Sequence, residues 1–384
     1  MTSINDEIVV DWHNKCMSFF VRPENRSMKT WRAFCVIKLL SIVFVLHSGA
    51  QVLEGPNGPV EFIGLQQWNA SDLFKAIQEL EPDKPFHACA ATMKTDLGFS
   101  DAAAIGFLKD KEDGTREVYT IVVGVEESEG VQYRTPGTET VDLPETWHKL
   151  QNIVDNDPST LDALVQARYI VLADPEATRT YAEQQKVSET EVAALLAQQL
   201  GANSESVDEV QTLVEALKEE SNFRLALDVL ARDTSWSARA VASVVLGHFP
   251  KSEASWHGLA GSLIDPHSRV RGVAERVLEG LIRINQEDSV NWKDARDTLL
   301  AFFSGTNPFG FNDILSALVA TEVDPEFGQM LVREKPDILL AFAGAEHEGF
   351  SKPAREFLEA ISGEDFGEDN DSWKAWLEAN GDKP

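Results

Sequence analysis

The chain has 384 residues, 43% of them hydrophobic, which is enough for two or three domains with real cores. Asp and Glu outnumber Lys and Arg by 63 to 34, giving a formal net charge of −29. A surface this anionic repels phosphate backbones and anionic headgroups, so nucleic acid is not an expected partner.

The first informative stretch is MKTWRAFCVIKLLSIVFVLHSGAQ, which begins at Met28. Lys29 and Arg32 form a basic start, Leu39 to Leu46 a short apolar run, and Ser48 and Ala50 place small residues before Gln51. That is the anatomy of a secretory signal cleaved between Ala50 and Gln51. Residues 1–50 are therefore expected to be leader and signal, with Met28 as the true start. An uncleaved anchor and a buried strand are the competing readings. The run is short for a membrane span and Lys38 interrupts it, so no stable span is expected after cleavage. Cleavage removes six basic and four acidic residues, taking the net charge to −31. It also removes Cys16 and Cys35. Cys89 then stands alone, unable to staple its own chain, and its small neighbours in PFHACAATM mark it as a buried, inert thiol. The expected setting is exported, periplasmic or secreted.

From 58 to 135 the pattern is mixed. VEFIGL (60–65) reads as a strand, and Asn69 or Ser71 can cap the helix SDLFKAIQEL. Pro82 and Pro85 break the chain before a second helix over about 86–96, closed by Gly98. DAAAIGFLKD and REVYTIVVGVEE read as two strands around the turn KEDGT. The order is strand, helix, helix, strand, strand. With GL after the first strand, LGF before the second and VEE on the third, this module resembles a POTRA domain. The resemblance implies binding of client or partner chains, often by addition of a strand to a sheet edge. A single copy is evident, and no barrel-like run of strands follows it.

After Pro136 and Gly137 the chain turns helical. Residues 140–206 read as a helical connector of amphipathic segments, including PETWHKLQNIV, STLDALVQARYIVL and SETEVAALLAQQL. The stretch 187–217 could pass for a helix-turn-helix. Its second helix carries Glu205, Asp208, Glu209 and Glu215 without a basic residue before Lys218, which leaves it no donors for phosphate or base edges.

Residues 233–246, DTSWSARAVASVVL, return 32 residues later as DPHSRVRGVAERVL, with six of fourteen positions identical. The matches are Asp233 with Asp265, Arg239 with Arg271, Val241 with Val273, Ala242 with Ala274, Val245 with Val277 and Leu246 with Leu278. Each copy follows a shorter helix. Paired helices of this length, with Asp in the turn and Arg inside the second helix, resemble a HEAT repeat. A looser copy at SKPAREFLEAI carries Arg355. The ending with Gly363, Phe366, Gly367, Trp373 and Trp376 resembles the C-terminal finish of many bacterial HEAT-repeat proteins.

A two-helix hairpin cannot bury its apolar face alone, so the repeat predicts stacking into a solenoid over 207–384 with a C-terminal cap. Asp233, Arg239, Asp265 and Arg271 are expected to form a structural ladder, each Asp capping a helix or accepting from the next repeat's arginine. A ligand-binding role for Arg271 is the alternative. The expected fold is thus an α+β N-terminal module followed by an all-α HEAT-like helical solenoid, predominantly α in sum.

Catalytic signatures are not evident: no HExxH, paired CxxC, GxSxG or glycine-rich phosphate loop occurs. His87, His148, His248, His257, His267 and His347 are scattered, and His347, between Glu346 and Glu348, is the best metal candidate. No catalytic, cofactor or metal residue is assigned. Two readings remain: an exported non-catalytic scaffold that binds other proteins, or an envelope enzyme or accessory subunit with a site between module and helices.

Overall fold

The computed structural model describes residues 51–82, 84–110, 116–126, 129–284 and 289–381. The expected leader and signal, Ala50 included, and the turn at 111–115 lie outside the described residues. A small sheet is followed by helices to the end, so the fold is α+β with helix dominant. No helix among the described residues is long and apolar enough to cross a membrane.

The sheet has the order β1-β2-β4-β3. Strands β1 (Gln51–Gly55) and β2 (Gly58–Ile63) form a hairpin. Its turn needs Gly58, whose φ of +134° would strain any residue with a side chain. Two helices follow, α1 (Ala70–Leu80) and α2 (Ala90–Thr95), the latter preceded by a 3-10 turn at Phe86–Ala88. Asn69 is the cap of α1, accepting from the Ser71 N–H at 2.9 Å. Strands β3 (Asp101–Asp110) and β4 (Arg116–Val125) are antiparallel to each other, and β4 runs parallel to β2. Strand β1 escaped the sequence reading because five residues with a Glu among them give too little alternation to register.

Alternation along the strands sends side chains to two faces. Val60, Phe62, Ala102 and Val122 pack with Leu73, Ile77, Phe86 and Met93 from the α1–α2 side. Ile63, Ala103, Ile121, Val123 and Val125 point the other way, into the core that continues through the helices. The sheet is therefore a middle layer.

The helices are α3 (Glu145–Asn156), α4 (Pro158–Ala173), α5 (Pro175–Gln185), α6 (Glu189–Gln199) and α7 (Val207–Glu215). Then come α8 (Glu220–Arg232), α9 (Trp236–Leu246), α10 (Glu253–Leu263), α11 (Ser268–Ile284), α12 (Arg296–Phe303) and α13 (Phe311–Ala320). The last four are α14 (Pro325–Glu334), α15 (Asp337–Ala343), α16 (Glu348–Ser362) and α17 (Asn370–Gly381). Local chemistry sets their ends. Asp174–Pro175 and Asp324–Pro325 start α5 and α14 with an Asp cap and proline in the first turn. Ser188 and Glu191 form a capping box, and Gly363 at φ 72° closes α16.

The 32-residue repeat corresponds to the hairpins α8–α9 and α10–α11, which stack on one another. Ala242 and Ala274 are fully buried where the helices approach. The segment 140–206 packs into the same array: Trp147 of α3 is buried and its Nε1 donates to Asn222 Oδ1 at 2.9 Å. Residues 201–206 form a turn anchored by buried Ala202 and by the Asn203 N–H on Thr160 Oγ1. All described residues belong to one compact unit, because sheet and helices share a continuous core.

Two glycines predict opposite outcomes. Gly280 of α11 lies on the Tyr169 ring of α4, and an added methyl would drive into that ring. Gly280→Ala should cost about 1–3 kcal/mol in urea unfolding. Gly261 has nothing within 4 Å of a Cβ, and Gly261→Ala should stabilise by about 0.5–1 kcal/mol.

Candidate functional site at the turn edge of the helices

The repeated arginines and aspartates meet at the turns. Arg239 grips Asp265 of the following hairpin in a two-pronged bond, Nε to Oδ2 at 2.8 Å and Nη2 to Oδ1 at 3.0 Å. Its Nη1 donates to the carbonyls of Asp233 and Thr234 at 3.1 and 2.9 Å. Arg271 repeats the second feature, with Nη1 on the carbonyls of Asp265 and Pro266 at 2.7 and 3.1 Å. It does not repeat the first. Its guanidinium instead lies over the Tyr133 ring, 4.9 Å from the centroid.

Among the described residues, Asp233 binds no arginine side chain. Its Oδ1 accepts from the Ser235 N–H at 2.7 Å and its Oδ2 from the Val141 N–H at 2.8 Å. The four residues thus give one inter-repeat rung, Arg239 to Asp265, and that rung runs from the preceding arginine to the following aspartate. Arg355 of the looser copy donates to the carbonyls of Ala343 and Ala345, a different arrangement.

Asp265 has a second guanidinium, Arg134, whose Nε donates to Oδ2 at 3.0 Å and whose Nη2 joins it. Burial alone would raise the carboxyl's pKa. The bonds from Arg239 and Arg134 and the His267 N–H outweigh it and hold the group below its usual range.

Arg134 belongs to an extended strap over residues 129–143 that crosses the turns in reverse chain order. The Gln132 N–H meets Thr306 Oγ1 at 2.8 Å, and the Arg134 N–H meets the Ile264 carbonyl at 2.9 Å. Farther along, the Glu139 N–H donates to the Arg232 carbonyl at 3.0 Å, and the Thr234 N–H returns a bond to Glu139 at 2.9 Å. Gly137 lies directly on the Arg232 backbone, where no side chain fits. Sequence reading missed Arg134: it sits outside any repeat, 131 residues from its partner. The only signal was an extended Gln-Tyr-Arg-Thr-Pro-Gly stretch.

Two more carboxylates bind the sheet to the helices. Asp101 at the start of β3 accepts from Tyr133 Oη at 2.6 Å and the Asn307 N–H at 2.9 Å, with Lys94 at 3.3 Å. Glu61 of β2, fully buried, accepts from Tyr119 Oη at 3.0 Å and from the N–H groups of Glu346 and His347 at 2.6 and 3.4 Å. His347 caps α16 and stacks on Phe107 at 4.1 Å. No group of three or more His, Cys, Asp or Glu suited to a metal is present among the described residues. Cys89 is buried, and burial pushes its thiol up to about 12. Trp373 packs on Phe366 at 4.8 Å inside the terminal cap.

Strand β3 is an edge strand. Its inner side pairs with β4 along all ten residues, while no described residue bonds the outer side of 103–109. Leu108 on this strand is 72% exposed.

A fourth feature joins three packed helices. Asp162 of α4, Glu275 and Glu279 of α11 and Asp313 of α13 face one another, with Arg276 3.6 Å from Glu279 and Arg269 facing Asp162. Burial first, then the neighbouring carboxylates, pushes Glu275 up to about 7 and Asp313 well above its usual range. No family model, curated protein or solved structure matches this chain.

Two expectations follow from these networks. Arg239→Ala should cost about 3 kcal/mol, because it removes two of the five bonds to a buried carboxylate, whereas Arg271→Ala should cost about 1 kcal/mol. In urea unfolding, Arg239→Ala should be strongly non-additive with Asp265→Ala, and Arg271→Ala nearly additive with it. The second expectation concerns pH. A raised Glu275 pKa means that the folded chain binds this proton more tightly than the unfolded chain, so stability should rise as pH falls through about 7. The gain should level off near the unfolded value, about 4.3. Glu275→Gln should be more stable than wild type at pH about 8, with the difference shrinking as pH falls and vanishing only below the unfolded value of about 4.3.

Proposed function

We propose that the exported chain is a non-catalytic scaffold that binds other proteins, with the outer edge of β3 as its docking strand. A HEAT-like helical array carries a POTRA-like module in this reading. The observation that supports it best is the open side of β3, whose unpaired backbone groups offer a partner strand a ready ladder. Exposed Leu108 gives such a strand an apolar contact. The sheet is clamped from behind by Glu61 and Asp101, so the edge is held rigid for docking without ordering cost.

A photo-cross-linking residue in place of Leu108, in cells exporting the chain, should capture a discrete partner. The same residue at Leu172, also exposed but on α4, should not. Leu108→Lys should abolish partner recovery while leaving unfolding within about 0.5 kcal/mol of wild type. N-terminal sequencing of the exported form should begin at Gln51. Cytoplasmic chain still carrying residues 1–50, or equal capture from both positions, would overturn the proposal.

A further inference from the structure

Around His267 the charge balance is reversed relative to the rest of the chain. Arg134 and Arg239 share the single carboxylate of Asp265. Among the described residues, Arg271 contacts backbone carbonyls and the Tyr133 ring, and its Nε and Nη2 have no partner there. Arg269 is exposed and makes no hydrogen bond or ion pair among the described residues; Asp162 faces it from α4 beyond ion-pair reach. Four guanidinium groups thus stand beside one paired carboxylate, Asp265, and one more distant carboxylate, Asp162, in a protein whose net charge is −29.

The same spot offers aromatic surface. His267 stacks on Trp236 with centroids 4.7 Å apart and planes 11° apart, both rings partly exposed, and its Nδ1 has no partner. Arg239, Arg269 and Arg271 are close enough to disfavour protonation of this imidazole, while Asp265 favours it. Gly272 is one turn from Arg269 on the same helical face, and nothing stands within 4 Å of where its Cβ would be. The helix surface beside the free guanidinium is open.

We propose that this cationic and aromatic patch, formed by Trp236, His267, Arg269 and Arg271, is a second docking site that takes an acidic peptide segment of a partner protein. Two observations select a peptide. Carboxylates suit the free forks of Arg269 and Arg271, which can each donate to both oxygens. The strap already shows that this turn edge accepts extended backbone, since it bonds the carbonyls of Ile264 and Arg232. The site is separate from the β3 edge, so either stands if the other fails.

The whole chain repels an acidic ligand, and only a local patch within a Debye length, about 8 Å at physiological salt, can reverse that. A fluorescein-labelled octa-glutamate peptide should therefore raise its anisotropy on the exported chain, while octa-glutamine should not. Arg269→Glu should weaken binding by about tenfold or more, because it removes a donor and adds a repulsion. Arg224→Glu makes the same charge change on exposed α8, away from the patch, and should weaken it by less than about twofold. The proposal is overturned if octa-glutamate does not bind, or if the two variants weaken it equally. It is also overturned if an acidic polysaccharide such as polygalacturonate, or inorganic phosphate alone, binds at this patch more tightly than the peptide.

Discussion

A carboxylate with no access to water costs several kcal/mol unless charged donors surround it. Asp265 is in that position, and its donors come from three places: Arg239 in the preceding hairpin, Arg134 in the strap and the His267 N–H in its own turn. Moving any one of the three removes part of its pairing. The spacing of the hairpins and the path of the strap are therefore fixed together. Replacing such a cluster with apolar residues is often neutral, so its main effect is on register, with the energy of folding coming from the core.

Asp101 and Glu61 extend the same device to the sheet. Each is a carboxylate buried at the border between sheet and helices, and each accepts from both sides of that border. Apolar contacts through Ile121, Val123 and Val125 supply non-directional attraction. The carboxylates add direction, since their acceptors are met only in one register. This explains how a module and a helical array distinct in sequence pattern form one packed body.

The surfaces left over bear on function. The β3 edge of the sheet has no strand beside it among the described residues, and one stretch of the turn edge carries more guanidinium groups than carboxylates. The carboxylate group across α4, α11 and α13 is different: its charges oppose one another inside the packing, which makes the array sensitive to pH.

Local chemistry was readable from the chain. Asn69 marks a helix start because capping depends only on neighbours a few residues away. The α+β order and the Asp–Arg repeat were likewise legible, since periodicity and a 32-residue shift are properties of sequence alone. That alike residues take unlike partners was not. Arg239 and Arg271 occupy equivalent positions, yet one finds a carboxylate in the next hairpin and the other a tyrosine ring in the strap. Asp233 and Asp265 diverge in the same way, one holding a strap N–H and the other two guanidinium groups. Repetition determines the geometry of each turn, but partners from distant parts of the chain are chosen only by packing. The strap, which belongs to no repeat, breaks the equivalence when it lies down across the turns.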